Sequence, residues 1–294
     1  MRSPAGHARF SPVRTDVRLF REGRRPRPLR GAVAAVVAAS LLAAVPASAQ
    51  APASSAPFAE AHLAEGAASS TAIDGVIELF TSQGCASCPA ADETLTALSA
   101  DPRLLALSYH VDYWDYIGWK DPLGSPRNSE RQRAYAKAIG HRSVFTPQAI
   151  VNGEREIDDV DRSAIAAALS EARLPTRSAA VELRLSKVGS TLHIEADAPA
   201  EAPGQTVLIL VTYRATTATR VERGDNAGRH LVNSHSVNDW QVVGKMNGRS
   251  IELDMPIATL GGIEAGATGC AVLLQAMDED GSPGPILAAA SLAL

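Results

Sequence analysis

The stretch Val76-Ile77-Glu78-Leu79-Phe80-Thr81-Ser82-Gln83-Gly84-Cys85-Ala86-Ser87-Cys88-Pro89-Ala90-Ala91-Asp92-Glu93-Thr94-Leu95 decides how the chain is read. Its first six residues are mostly apolar and of strand length, which predicts a central parallel strand buried on both faces. Gly84 interrupts the run, and the helix formers from Ala90 to Leu98 predict a helix that Asp101-Pro102 ends. Cys85 and Cys88 therefore lie where a strand gives way to a helix.

Upstream of this stretch, residues 1–30 hold nine arginines against Asp16 and Glu22. The apolar segment GAVAAVVAASLLAAVPASAQ (31–50) follows and ends in Ala47-Ser48-Ala49. This is the layout of a cleavable export signal over residues 1–49. Its apolar core is shorter than the roughly twenty residues that span a bilayer, so no stable membrane insertion is expected after cleavage. Arg24-Arg25 leaves a twin-arginine route open beside the general one. A periplasmic or secreted location is expected, where disulfides persist. The remaining chain carries 19 basic and 30 acidic side chains, a net of −11, and an acidic surface argues against a nucleic-acid partner.

Residues 50–72 are rich in Ala, Ser and Pro and read as a flexible linker. From Ile73 the elements alternate. Leu104 to Val111 predicts a second strand, Asn128 to Ile139 an exposed helix, Phe145 to Asn152 a strand behind a proline, and Asp161 to Ala172 a closing helix. Beyond Ser178 the period becomes two. Val181 to Leu185 and Leu192 to Ala196 alternate across Gly189-Ser190, a hairpin signal, and more strands are expected at Thr206–Tyr213, Leu231–Val243, Ser250–Met255 and Ala271–Met277. The expected architecture is an α/β domain over residues 73–176, its central sheet flanked by helices, followed by an antiparallel β-sandwich-like domain over residues 177–294.

Two cysteines at i and i+3 can close a small disulfide ring, with the first sulfur beside unpaired backbone N–H groups at a helix start. A dipole contribution of about 2 kcal/mol lowers a thiol by roughly 1.5 pH units, towards neutrality. In that setting Cys85, at the tip of the turn, is the nucleophile, and Cys88 resolves the mixed disulfide. A permanently oxidised structural bridge is the plain alternative, as is half of a metal site. Four-cysteine zinc is excluded, because Cys270 is the only other cysteine. A mixed site with His110 or His141, or a soft metal such as Cu(I), stays open.

These residues resemble the thioredoxin superfamily. A strand leading to CxxC at a helix start, then Thr146-Pro147-Gln148-Ala149-Ile150-Val151-Asn152-Gly153, is similar to the pairing of active-site helix and cis-proline loop in that superfamily. The resemblance implies a thioredoxin-like fold for the first domain, a cis Pro147, and Thr146 facing the sulfurs. It also implies that Glu78 corresponds to a buried acid that accepts the Cys88 proton. FTSQGCASCPAAD, HVDYWDYIGWKDP and VERGDNAGRHL look like the exported bacterial family known as domain of unknown function 1223, for which the resemblance implies no reaction.

The site expected from sequence is thus Cys85, Cys88 and Glu78 for chemistry, with Thr146, Pro147, Trp114 and Trp119 binding a substrate. Tyr113 and Tyr116 extend the aromatic wall, which could equally cap the core. Asn226, Arg229 and His230 form a polar loop with no assigned task, and Cys270 reads as an inert thiol on a buried strand. The function expected is exported thiol–disulfide exchange on protein or small-molecule disulfides, without cofactor or metal. The rival is a binding module with a structural disulfide or a copper site.

Overall fold

The computed structural model describes residues 66–174, 181–197, 205–246 and 249–294. The export signal and most of the linker expected from sequence lie outside these residues. Ala67–Ser69, inside that expected linker, is already a strand (β1), and a 3-10 turn joins it to the strand Gly75–Thr81 (β2), buried at every position. Cys88–Leu98 (α1), Leu104–His110 (β3), Pro126–Ala138 (α2), Gln148–Val151 (β4), Arg155–Ile157 (β5) and Arg162–Glu171 (α3) complete the first half. The second half is strands: Glu182–Val188 (β6), Thr191–Asp197 (β7), Gln205–Arg220 (β8), His230–Met246 (β9), Ile251–Pro256 (β10), Gly269–Met277 (β11) and Pro283–Ala293 (β12).

The two halves share one sheet. Its order is β12-β11-β8-β9-β3-β2-β4-β5, and a second sheet has the order β1-β6-β7-β10. β2 lies parallel to β3 from Gly75 opposite Leu104 to Thr81 opposite His110, and antiparallel to β4. The join is β3 to β9, parallel at Ser108 and Ser236, where the Ser108 hydroxyl donates to the Ser234 carbonyl at 3.0 Å.

Alternation along β2 sorts its side chains onto two faces. Val76 and Phe80 enter a core with Leu105, Leu107 and Tyr109 of β3 and Tyr135 of α2. Ile77 and Leu79 enter another core beneath α1 and α3. The first core also contains Val207, Ile209 and Val211 of β8 and Leu273 of β11, so the long sheet curves until its two ends face each other. Ile286 N–H donates to the Asn152 carbonyl at 2.8 Å across this closure. Gly153 adjoins it with φ +74°, and a Cβ there would lie 2.5 Å from the Gly284 carbonyl oxygen, so both conformation and space demand glycine. The other face of β8, β11 and β12 packs on β6 and β7, which gives the sandwich-like part.

This corrects the expected fold class. Among the described residues strand outweighs helix, 45% against 20%, and a helix-flanked thioredoxin-like α/β core followed by a separate sandwich is not what forms. The physical reason is that one face of β2 and β3 is covered by α2 together with strands of the second half, not by helices alone. Helix α2 is also less exposed than its charged sequence predicts, because Arg131, Gln132 and Tyr135 are buried. Strand β12 escaped the pattern reading: Ala288-Ala289-Ala290 carries little β propensity and is held by pairing with β11.

Candidate functional site at the cysteine turn

Cys85 and Cys88 form a disulfide, with Cα atoms 5.4 Å apart. Cys88 is the first residue of α1 and Pro89 follows it, a position where the missing N–H is no loss. Ser87, before the helix, makes no side-chain cap, and the first N–H of α1, that of Cys88, donates instead to the Cys85 carbonyl at 3.3 Å. Cys85 is only 1% exposed and Cys88 is fully buried, so Cys85 is not the open tip that the sequence suggests.

What covers Cys85 comes from elsewhere in the chain. The Thr146–Pro147 bond is cis, as expected, and the Thr146 carbonyl oxygen lies 3.7 Å from Cys85 Sγ. The Ser87 hydroxyl is 3.4 Å from the same sulfur. Trp114 Nε1 donates to Thr146 Oγ1 at 2.7 Å, and Tyr116 stacks on Trp114 while remaining 80% exposed. A cleft of about 520 Å³ opens alongside, lined by Ser87, Ala90, Phe145, Thr146, Pro147 and Asp159, among others. Both of these neighbours of Cys85 Sγ line this cleft.

The loop between β8 and β9 closes the opposite side. Asn226, 2% exposed, donates from Nδ2 to the carbonyls of Gln83 at 2.9 Å and Cys85 at 2.8 Å, while Arg229 Nη1 donates to Asn226 Oδ1 at 3.0 Å. Trp119 belongs to this side and not to the cleft: its Nε1 donates to Gln83 Oε1 at 3.3 Å and its Cβ borders Gly224. The polar loop seen in the sequence thus fastens the cysteine turn.

Glu78 is placed elsewhere. It alternates with Ile77 and Leu79 and so points to the α2 face, away from α1 and Cys88. Arg131 Nε donates to it at 2.7 Å and the Tyr135 hydroxyl at 2.5 Å, while Gln275 bonds both partners. Burial works against the Arg131 charge, but the Glu78 carboxylate beside it outweighs that and holds the guanidinium well above its ordinary range. Glu78 is therefore the anion of a buried ion pair, not a proton acceptor for Cys88.

The acid on the cysteine side is Asp92, one turn beyond Cys88 on α1 and absent from the site expected from sequence. Its two oxygens, Thr81 Oγ1, His110 Nε2 and Asn233 Nδ2 are all buried without a hydrogen-bond partner among the described residues. The Thr81 hydroxyl and the Asn233 amide are close enough to favour its charged form. Burial drives its carboxyl up to about 6, with the His110 charge pulling the other way. His110 Nδ1 meets Asp121 Oδ2 at 2.8 Å, and both side chains are fully buried. Burial lowers the imidazole, yet the Asp121 charge prevails and its basicity is raised.

His141 pairs with Glu156 at 2.7 Å and His110 with Asp121, so neither joins the cysteines. No cluster of three or more His, Cys, Asp or Glu side chains suited to a metal occurs among the described residues. Among those residues too, no helix is long and apolar enough to cross a membrane. Cys270 is buried, and burial pushes its thiol up to about 12.

Fold and site together define a β-rich protein with a disulfide-bonded CxxC turn fastened beneath a cis-proline loop. The family described as protein of unknown function (DUF1223) matches residues 76–275, and the chain belongs to that family. An X-ray crystal structure of a protein from Agrobacterium tumefaciens is similar at 35% identity and a TM-score of 0.64, over 74% of this chain and 93% of that one. No curated protein matches the sequence.

Proposed function

We propose that the chain is an exported thiol–disulfide exchange protein in which Cys85 exchanges with a disulfide-containing protein or small thiol and Cys88 resolves the intermediate. The carrying observation is the Cys85–Cys88 disulfide beneath the cis Thr146–Pro147 peptide, with the Thr146 carbonyl 3.7 Å from Cys85 Sγ. These are the residues on which the thioredoxin resemblance rests, and the reading needs only this local arrangement. The neighbouring cleft has apolar walls at Phe145, Pro147 and Val160, suited to an extended polypeptide beside the sulfur.

In the reducing direction, Cys85 thiolate attacks a substrate disulfide and one substrate sulfur leaves as thiolate. Cys88 thiolate then attacks Cys85 Sγ, the Cys85–substrate bond breaks, and the second substrate sulfur leaves as thiolate. The pair ends oxidised and the substrate reduced by two electrons. The opposite direction uses the same bonds. Thr146 and Pro147 orient the substrate, and Trp114 holds Thr146 in place.

The test is turnover of an insulin-type disulfide substrate in the presence of a reductant, with wild type compared to Cys85→Ser. Turnover that survives this substitution sinks the proposal. The near-complete burial of both sulfurs favours a second reading, a structural bridge in a binding module. A reduction potential below about −300 mV supports the bridge, and a higher one supports exchange.

A further inference from the structure

The sulfurs need a proton acceptor, and the buried acid read from sequence faces the wrong side of the sheet. We propose that Asp92, coupled to His110 and backed by Asp121, takes and returns the proton of Cys88 as the disulfide closes and opens. This rests on the exchange reading and adds the proton route to it.

Three observations converge on these residues. First, Cys88 and Asp92 are four apart on α1, 0% and 5% exposed, and side chains at that spacing lie on one helix face about 6 Å apart at Cβ. Second, both Asp92 oxygens and His110 Nε2 are buried and unpartnered among the described residues, together with Thr81 Oγ1 and Asn233 Nδ2. Buried polar groups nearly always find partners, and these gather round one carboxyl: Thr81, Asn233 and His110 are the side chains that act on Asp92 against its burial. Third, the Asp121 carboxylate is fixed as an anion by Gln83 N–H at 2.8 Å and Leu123 N–H at 2.9 Å, and by His110 Nδ1. That arrangement places the imidazole proton on Nδ1 and leaves Nε2 as the end that accepts or releases.

Asp92 also borders a second cleft, of about 270 Å³, between α1 and the β8–β9 loop. The charged and titratable groups there are Glu93 of α1 and Arg229 and His230 of the loop and β9. His110 and Asp121 face Asp92 from β3 and the segment after it, with Asp115 beside Asp121. This cleft shares no lining residue with the substrate cleft at Thr146.

In the mixed disulfide, the Cys88 thiol passes its proton to the Asp92 carboxylate, and the resulting thiolate attacks Cys85 Sγ. The Cys85–Cys88 bond forms, the Cys85–substrate bond breaks, and the electron pair leaves on the substrate sulfur. Asp92 then loses the proton through His110 or the second cleft. Reduction of the bridge runs the same transfer backwards.

Two measurements on the full chain test this. In the first, the Asp92 carboxyl is titrated by carbon-13 NMR in the disulfide and dithiol states. A proton shared with Cys88 moves the Asp92 midpoint by about one pH unit or more between the two states, since such strongly interacting groups titrate as a pair. In the second, the release of a chromogenic mixed disulfide from Cys85 is followed against pH in wild type, Asp92→Asn and Asp92→Glu. Loss of a proton acceptor slows release roughly 100-fold at neutral pH in Asp92→Asn, removes the inflection of the profile, and is partly reversed in Asp92→Glu. An Asp92 midpoint that is the same in both redox states overturns the proposal, as does an Asp92→Asn release profile superimposable on wild type. These outcomes leave the exchange reading standing, whereas turnover that survives Cys85→Ser removes that reading. The NMR comparison, which needs no variant, still judges the coupling in that case.

Discussion

Asn226 holds Cys85 in place from 141 residues downstream: its Nδ2 donates to the Cys85 carbonyl at 2.8 Å and to the Gln83 carbonyl at 2.9 Å. One buried amide thus fixes both sides of Gly84 in the turn that carries the disulfide. Asn226→Ala takes this donor from the buried Gln83 carbonyl and leaves the Cys85 carbonyl only the longer bond from Cys88 N–H at 3.3 Å, and it is expected to lower stability by about 1–3 kcal/mol. Because the loosened turn opens more readily, the same substitution should also speed reduction of the disulfide by dithiothreitol. Urea unfolding and the rate of thiol appearance check the two effects, and a neutral result on both shows that the loop is not a fastening.

The Glu78–Arg131 pair sits in the core at 2.7 Å with both side chains almost wholly buried. Removing one partner of such a pair leaves an uncompensated charge, so Arg131→Met is expected to cost about 3–5 kcal/mol, with Glu78→Gln in the same background recovering part of it. A double-mutant cycle by chemical unfolding measures the recovery. Additivity of the two changes would show that the ion pair is not what stabilises this region.

The contribution of Asp92 to stability should fall as pH rises from about 4 to 7. Asp92 has a folded value of about 6 against an ordinary 3.8, so between these values the folded state keeps a proton that the unfolded state has lost. Stability therefore decreases through that window, by about 3 kcal/mol for this group at its upper end. His110 acts in the same sense: its raised folded value contributes stability that is complete below 6.5 and is lost as pH climbs through the folded value. Asp121 opposes them only in acid. Burial would raise it, but the His110 charge wins and lowers it, so its contribution is present above 3.8 and lost as pH falls through the folded value. The stability of Asp92→Asn relative to wild type should accordingly grow by about 3 kcal/mol from pH 4 to pH 7, measured by unfolding at each pH. A difference that does not change with pH would place the Asp92 titration at its ordinary value.

Cys270 is fully buried between β8 and β12 and its thiol is pushed up to about 12, first by burial. The oxidised chain should therefore show no thiol reactive to a chromogenic disulfide reagent at pH 8 when native, and one when denatured in guanidinium. A native chain that reacts within minutes would place Cys270 nearer the surface.

The cysteine turn was legible in the sequence because its determinants are local. Gly84 lies in the turn that follows the strand, Pro89 suits the first turn of a helix, and two cysteines three apart can close a ring whatever surrounds them. The cis Thr146–Pro147 bond was expected only through the thioredoxin resemblance, because a proline permits a cis bond without requiring one. Glu78 misled because a charged residue in an apolar run announces a buried partner without naming it. The partner is Arg131, which lies in a helix whose charge pattern reads as exposed.

The burial of Cys85, the clasp of Asn226 and the group around Asp92 needed the tertiary structure. Each joins residues dozens of positions apart, such as Gln83 to Asn233 across 150, and no short window of sequence records such pairs. The curvature that brings β8 and β11 over β2 and β3 is likewise a property of the whole eight-stranded sheet. What the sequence determined by itself was most of the strands and helices between Gly75 and Met277 and the close pairing of Cys85 with Cys88, because propensity, turn chemistry and ring closure act over a few residues. Which face of the sheet each polar side chain meets, and so which acid can serve the sulfurs, was decided only by the folded chain, where strand alternation and long-range packing set the partners.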